Sequence, residues 1–165
     1  MYATARTPTN TRWYRFVYEF QSAAEAPVEL VEVLQRRSGW SHAVFFPRME
    51  AHSGQPVSPP SVCVLHEDRL CLYRIGDNWD VACQDIPLPS IDRIVLQLYL
   101  LACSIEIFWP GGSARLRFPA YGAEPVVALS RRLTGPDWEK TVMREPVLGY
   151  GVEISWRRPG SLPKS

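Results

Sequence analysis

Three histidines and four cysteines make up the nucleophilic and metal-ligating inventory of this chain. Cys63 and His66 stand three residues apart in one apolar run. On a strand that spacing sends the two side chains to opposite faces, so they cannot pair as nucleophile and base. His66 precedes Glu67 and Asp68, which read as solvated polar sequence at a turn. Cys63, Cys71, Cys83 and Cys103 are spaced 8, 12 and 20 apart, with no CxxC and no Cys/His pair at zinc-finger spacing. Set among Val, Leu, Ile and Ala, they read as small buried hydrophobes, with a disulfide or a metal as the lesser alternative. No GxSxG, HExxH or phosphate-loop pattern occurs. The expectation is a protein that is not an enzyme, with no catalytic residue, no metal and no cofactor.

Arginine is the second candidate chemistry. Lys140 and Lys164 are the only lysines, so the positive charge is almost all guanidinium, which suits bidentate contacts with carboxylate or phosphate. Arg115 and Arg117 alternate with Ala114, Leu116 and Phe118, which puts the two arginines on one face of a strand. With Arg69 and Arg74 they form the candidate anion- or lipid-binding set. The competing reading is a solvated sheet face, with Arg131 and Arg132 complementing a helix dipole.

Aromatic residues are the third. Trp13, Tyr14, Phe16, Tyr18 and Phe20 are five aromatics in eight residues. Alternation places Tyr14, Phe16, Tyr18 and Phe20 together, either as core or as an exposed strip of the kind that anchors interfaces. The candidate interface residues are Trp13, Tyr14, Phe16, Tyr18 and Trp109.

The elements that must carry these residues are mostly strands. Residues 1–12 are polar and read as a flexible arm, 13–156 as a single domain, and 157–165 as a polar tail. Trp13–Phe20 is extended. Ser22–Arg37 carries a helix signal, with Ser22 as N-cap, Glu25 at capping-box spacing, an apolar stripe of Val28, Val31 and Leu34 that Leu30 can join, and Gly39 as the stop. Glu50–Ser61 is a Pro/Ser/Gly-rich loop. Val62–His66 and Arg69–Ile75 form a hairpin about Glu67-Asp68, and Gly76-Asp77-Asn78 turns into Trp79–Ile86. Ile91–Leu101, Cys103–Trp109 and Ser113–Phe118 follow, the last two split by Pro110-Gly111-Gly112. A second helix is expected over Glu124–Leu133, capped by Gly135, then a helical turn at Asp137–Met143 and a strand at Gly149–Trp156.

Composition bounds what such a chain can be. Its 165 residues are 46% hydrophobic and 12% aromatic, enough to bury a core and too apolar for general disorder. A net charge of +1 argues against a nucleic-acid partner. Fifteen prolines exceed the usual share of about 5% and favour turns and strand edges over long helices. The N-terminus lacks an apolar signal core, and the longest apolar stretch, Ile94–Ile107, is broken by Gln97 and Glu106. A cytoplasmic location is expected.

The run from Val62 to Leu133 resembles the bacterial pleckstrin-homology-like and GRAM-like domains. Its hairpin, Val64-Leu65-His66-Glu67-Asp68-Arg69-Leu70-Cys71-Leu72-Tyr73, matches their D-R-L-hydrophobic-hydrophobic-Y strand, and Ile86-Pro87-Leu88-Pro89-Ser90-Ile91 matches their I-P-L-x-x-I element. The resemblance implies an α+β fold, a small curved antiparallel sheet or partly open barrel closed by a C-terminal helix, to which this chain adds an N-terminal helix. It implies a protein-binding or scaffolding module, with self-association left open. The alternative is a peripheral module reading anionic head groups on a membrane surface. Lipid-binding members collect basic residues at the first hairpin turn, where this chain has Glu67 and Asp68.

Overall fold

The computed structural model describes residues 16–52, 54–78, 80–100, 103–144 and 151–160. They gather into two compact units, Met1–Ile86 and Pro87–Ser165. The fold class is α+β, with ten strands in two antiparallel sheets of five, neither closed into a barrel.

The first unit contains β1 (Tyr18–Phe20), α1 (Val28–Arg36), β2 (Trp40–Phe46), β3 (Ser61–His66), β4 (Arg69–Ile75) and β5 (Val81–Pro87), paired in the order β1-β2-β3-β4-β5. Tyr18, Phe20, Ala43, Phe45, Val62, Val64, Cys71, Tyr73 and Ile75 share one core with Ala26, Leu30 and Leu34. Their alternation along each strand and the cross-strand register, Phe45 opposite Val62 and Val62 opposite Tyr73, place the sheet residues on one face. Helix α1 covers that face with two residues a turn apart, Leu30 and Leu34.

The expected helix over Ser22–Arg37 divides at Pro27. Ser22 caps a turn of 3₁₀ helix at Ala23–Glu25, its hydroxyl accepting from Ala24 N, and α1 begins after Pro27. Proline supplies no N–H for a continuous ladder but suits a helix start. The cap at the other end is Arg37, whose N–H donates to the Val33 carbonyl, while Gly39 turns the chain two residues later at φ 88°.

The second unit contains β6 (Arg93–Leu98), β7 (Cys103–Trp109), β8 (Gly112–Phe118), α2 (Ala123–Leu133), β9 (Glu139–Arg144) and β10 (Val152–Arg157), with sheet order β8-β7-β6-β10-β9. Gly111, at φ 90°, makes the tight β7–β8 reversal. One face is apolar: the row Val142, Ile154, Leu96, Ile105, Leu116 crosses all five strands. Helix α2 packs on β6 and buries Val126, Leu129, Ser130 and Leu133.

Two expectations are corrected here. Asp137–Met143 is not a helical turn: its larger part is β9, which pairs along its whole length with β10. Arg157 ends β10, and Arg158 beyond it is anchored, donating from Nε to the Ile91 carbonyl at 2.9 Å and from Nη2 to that of Leu88 at 3.0 Å. The helix stop is Thr134 rather than Gly135. Trp13, Tyr14 and the arm at 1–12 lie outside the described residues.

Candidate functional site

The four candidate arginines divide between the two units. Arg69 and Arg74 are five residues apart on β4, so they leave its opposite faces. Arg69 pairs with Asp68 at 3.3 Å, and Arg74 stands opposite Ser61 on β3. Arg115 and Arg117 do share the polar face of the second sheet. Arg115 donates to Gln97 Oε1 at 3.0 Å, Ser104 donates to the same oxygen at 3.3 Å, and Gln97 Nε2 donates to Glu153 at 3.1 Å. Arg93 and Arg157 lie on this face as well, but so do Glu106, Glu139 and Glu153. Interleaving of the two signs leaves a network that compensates itself instead of a basic field.

The candidate aromatic residues scatter. Tyr18 is core, 9% exposed with its hydroxyl donating to the Glu25 carbonyl at 3.0 Å, and Phe20 lies beside it. Phe16 is exposed. Trp109 is half-buried at the end of β7, its indole lying over Gly112, where an added Cβ would come within 3.1 Å of the ring.

A polar knot that the sequence reading missed lies on the α1 side of the first sheet. The turn bond from Gly76 N to Asp80 O, continued down the ladder, sets Cys71 across from Asp85 and Tyr73 across from Cys83. The side chains agree with that register. Cys71 Sγ donates to Asp85 Oδ1 at 2.9 Å, Cys83 Sγ approaches the same oxygen at 3.7 Å, and Arg37 Nη1 lies 3.1 Å from Cys71 Sγ and 3.5 Å from Asp85 Oδ1. Arg37 thus ties the end of α1 to β4 and β5. Burial and the Asp85 carboxylate push the Cys71 thiol up to about 11, and burial pushes Cys63 to about 12. Cys83 is raised by the same causes, in that order. Thiols so held stay protonated at neutral pH, which makes them hydrogen-bond donors and poor nucleophiles. Among the described residues no group of three or more His, Cys, Asp or Glu could hold a metal ion.

The knot makes the first unit sensitive to acid. His66 is 4% exposed, its Nε2 has no hydrogen-bond partner among the described residues, and its pKa is lowered by burial and by Arg69 and Arg37, against smaller opposing effects of Asp68 and Asp85. The Cys71 hydrogen bond and Arg37 lower Asp85. Both groups bind protons less readily folded than unfolded, so both favour the unfolded chain as pH falls. The loss begins as pH drops through the unfolded-histidine value of about 6.5 and continues through the carboxylate range. The urea midpoint is therefore expected to fall between about pH 7.5 and 5.5, with a shallower fall in His66→Gln. A midpoint that is flat or rises over this range contradicts the account.

The most exposed regular element is β9. All six of its residues are exposed, Val142 at 49% and Met143 at 60%, and it closes the sheet order on one side, pairing only with β10 among the described strands. Its odd residues join the polar face, where Arg93, Glu139, Thr141, Met143, Glu153, Ser155 and Arg157 line a shallow groove. Its even residues, Lys140, Val142 and Arg144, edge the apolar face. No helix among the described residues is long and apolar enough to cross a membrane. No protein-family model, no curated protein and no solved structure matches this chain.

Proposed function

We propose that this chain is a cytoplasmic protein-binding module, with a pleckstrin-homology-like core, that takes an extended segment of a partner protein as a strand added to β9. The observation that carries this reading is the state of β9: the edge of its sheet among the described strands, exposed at every residue, with two half-exposed or more exposed apolar side chains. An open edge presents a row of backbone donors and acceptors that an extended peptide satisfies, and alternate side chains supply specificity. Support for the core assignment is the antiparallel α+β architecture and a helix directly after β8. The other reading, anionic head groups held by Arg115 and Arg117, is weakened by Glu106 directly opposite Arg115 on the neighbouring strand and by Glu153 three strands away on the same face.

Peptide display selection on the full chain, with bound peptides mapped by amide chemical shifts, tests the proposal. Selected peptides are expected to be strand formers that shift and protect the β9 amides of residues 139–144. Peptides that map to the polar face of β6–β8 or to the first unit, or a selection that enriches nothing, refute it.

A further inference from the structure

The chemistry along β9 narrows the partner. This step rests on the edge-strand reading above and adds the class of sequence recognised. On the apolar face, β9 presents Lys140, Val142 and Arg144 in register with Trp156, Ile154 and Val152 of β10. Val142 ends the apolar row that runs through Ile154, Leu96, Ile105 and Leu116, and it is left 49% exposed. A sixth strand would extend that row by one apolar residue opposite Val142. The residues two before and two after it would fall opposite Lys140 and Arg144, where carboxylates are favoured. On the other face, the residue opposite Met143 would be apolar. We infer that the edge juxtaposing Lys140, Val142 and Arg144 recognises an extended acidic peptide segment of the form acidic–x–apolar–x–acidic.

A second copy of this chain fits less well. A two-fold axis normal to the sheet keeps like faces together, so pairing Val142 with itself sets Lys140 against Arg144 of the other copy. Moving the axis to Thr141 sets Lys140 against Val142 instead. Neither register supplies a carboxylate to the two cations.

Three fluorescein-labelled peptides test the inference on the full chain by anisotropy and amide shifts: GSEVITEGS, its charge-reversed form GSKVITKGS, and GSEVPTEGS, whose proline removes a backbone donor. The acidic peptide is expected to bind at least about tenfold more tightly than the other two, with affinity falling as salt rises. In Lys140→Glu/Arg144→Glu, whose side chains are exposed, the preference is expected to invert toward GSKVITKGS. Equal binding of the two charge forms at β9, or a preference the double variant leaves unchanged, overturns the acidic class while leaving strand addition standing. Absence of any β9 shift with all three peptides up to about 1 mM, a limit near −4 kcal/mol of binding, overturns both.

Discussion

Phe45→Ala is expected to destabilise the first unit by about 3–5 kcal/mol, a large fraction of the roughly 5–15 kcal/mol that holds a typical domain folded. Phe45 is fully buried in β2, packs against the Tyr18 ring at 5.2 Å between centroids, and is held in register by Tyr18 on one side and Val62 on the other. It lies in the same core as Leu30 and Leu34, so truncation would leave a cavity beneath α1 rather than at a surface that could collapse. Urea unfolding followed by circular dichroism gives the loss, and hydrogen exchange shows whether amides of β2 and β3 lose protection first. A loss under about 1 kcal/mol would mean that the site relaxes around the smaller side chain and that the core is not organised around this ring.

What could be read in the sequence was local. The hairpin about Glu67-Asp68, the Gly76-Asp77-Asn78 turn and the Pro110-Gly111 reversal each pair neighbouring segments, and the strands they join lie where expected. The α2 stripe of Val126, Leu129 and Leu133 was visible for the same reason, since the signal and its burial share one helix. β9 was not. Its residues, Glu-Lys-Thr-Val-Met-Arg, carry no clean alternation because neither face is buried, and only the register with β10 makes them a strand. The polar knot was hidden by a different assumption. Read one at a time, Cys71 and Cys83 are small hydrophobes. The hydrogen bond to Asp85 becomes visible only once the two strands are aligned, and the bond from Gly76 N to the Asp80 carbonyl that aligns them sits two residues beyond the Gly76-Asp77-Asn78 turn expected from the sequence. Arg37 could not have been placed there, because its approach to Asp85 depends on how α1 crosses the sheet. Among the arginines, alternation correctly put Arg115 and Arg117 on one face, but the glutamates beside them come from other strands.

Helix α2 offers the second large effect and a control on the binding experiments. Leu129 and Ser130 are adjacent, and both are fully buried. Leu129→Ala is expected to cost about 2–5 kcal/mol, because it opens a cavity between the helix and the sheet that the rigid strands cannot fill. Ser130 donates its hydroxyl to the Val126 carbonyl of its own helix at 3.0 Å, a carbonyl already placed to accept a backbone bond. Ser130→Ala is therefore expected to cost about 1 kcal/mol or less. Urea unfolding of the two variants measures the contrast, and equal losses would show that the hydroxyl, not the apolar stripe, holds α2 in place. The same pair bears on β9. Since α2 stabilises the sheet without covering its exposed edge, Leu129→Ala should weaken peptide binding only through the fraction of molecules unfolded, and added stabilising osmolyte should restore it. Charge reversal at Lys140 and Arg144 should leave the urea midpoint nearly unchanged and change which peptide binds. A loss of binding in Leu129→Ala that osmolyte does not restore would place the partner's contact on the helix, and the edge would no longer suffice as the site.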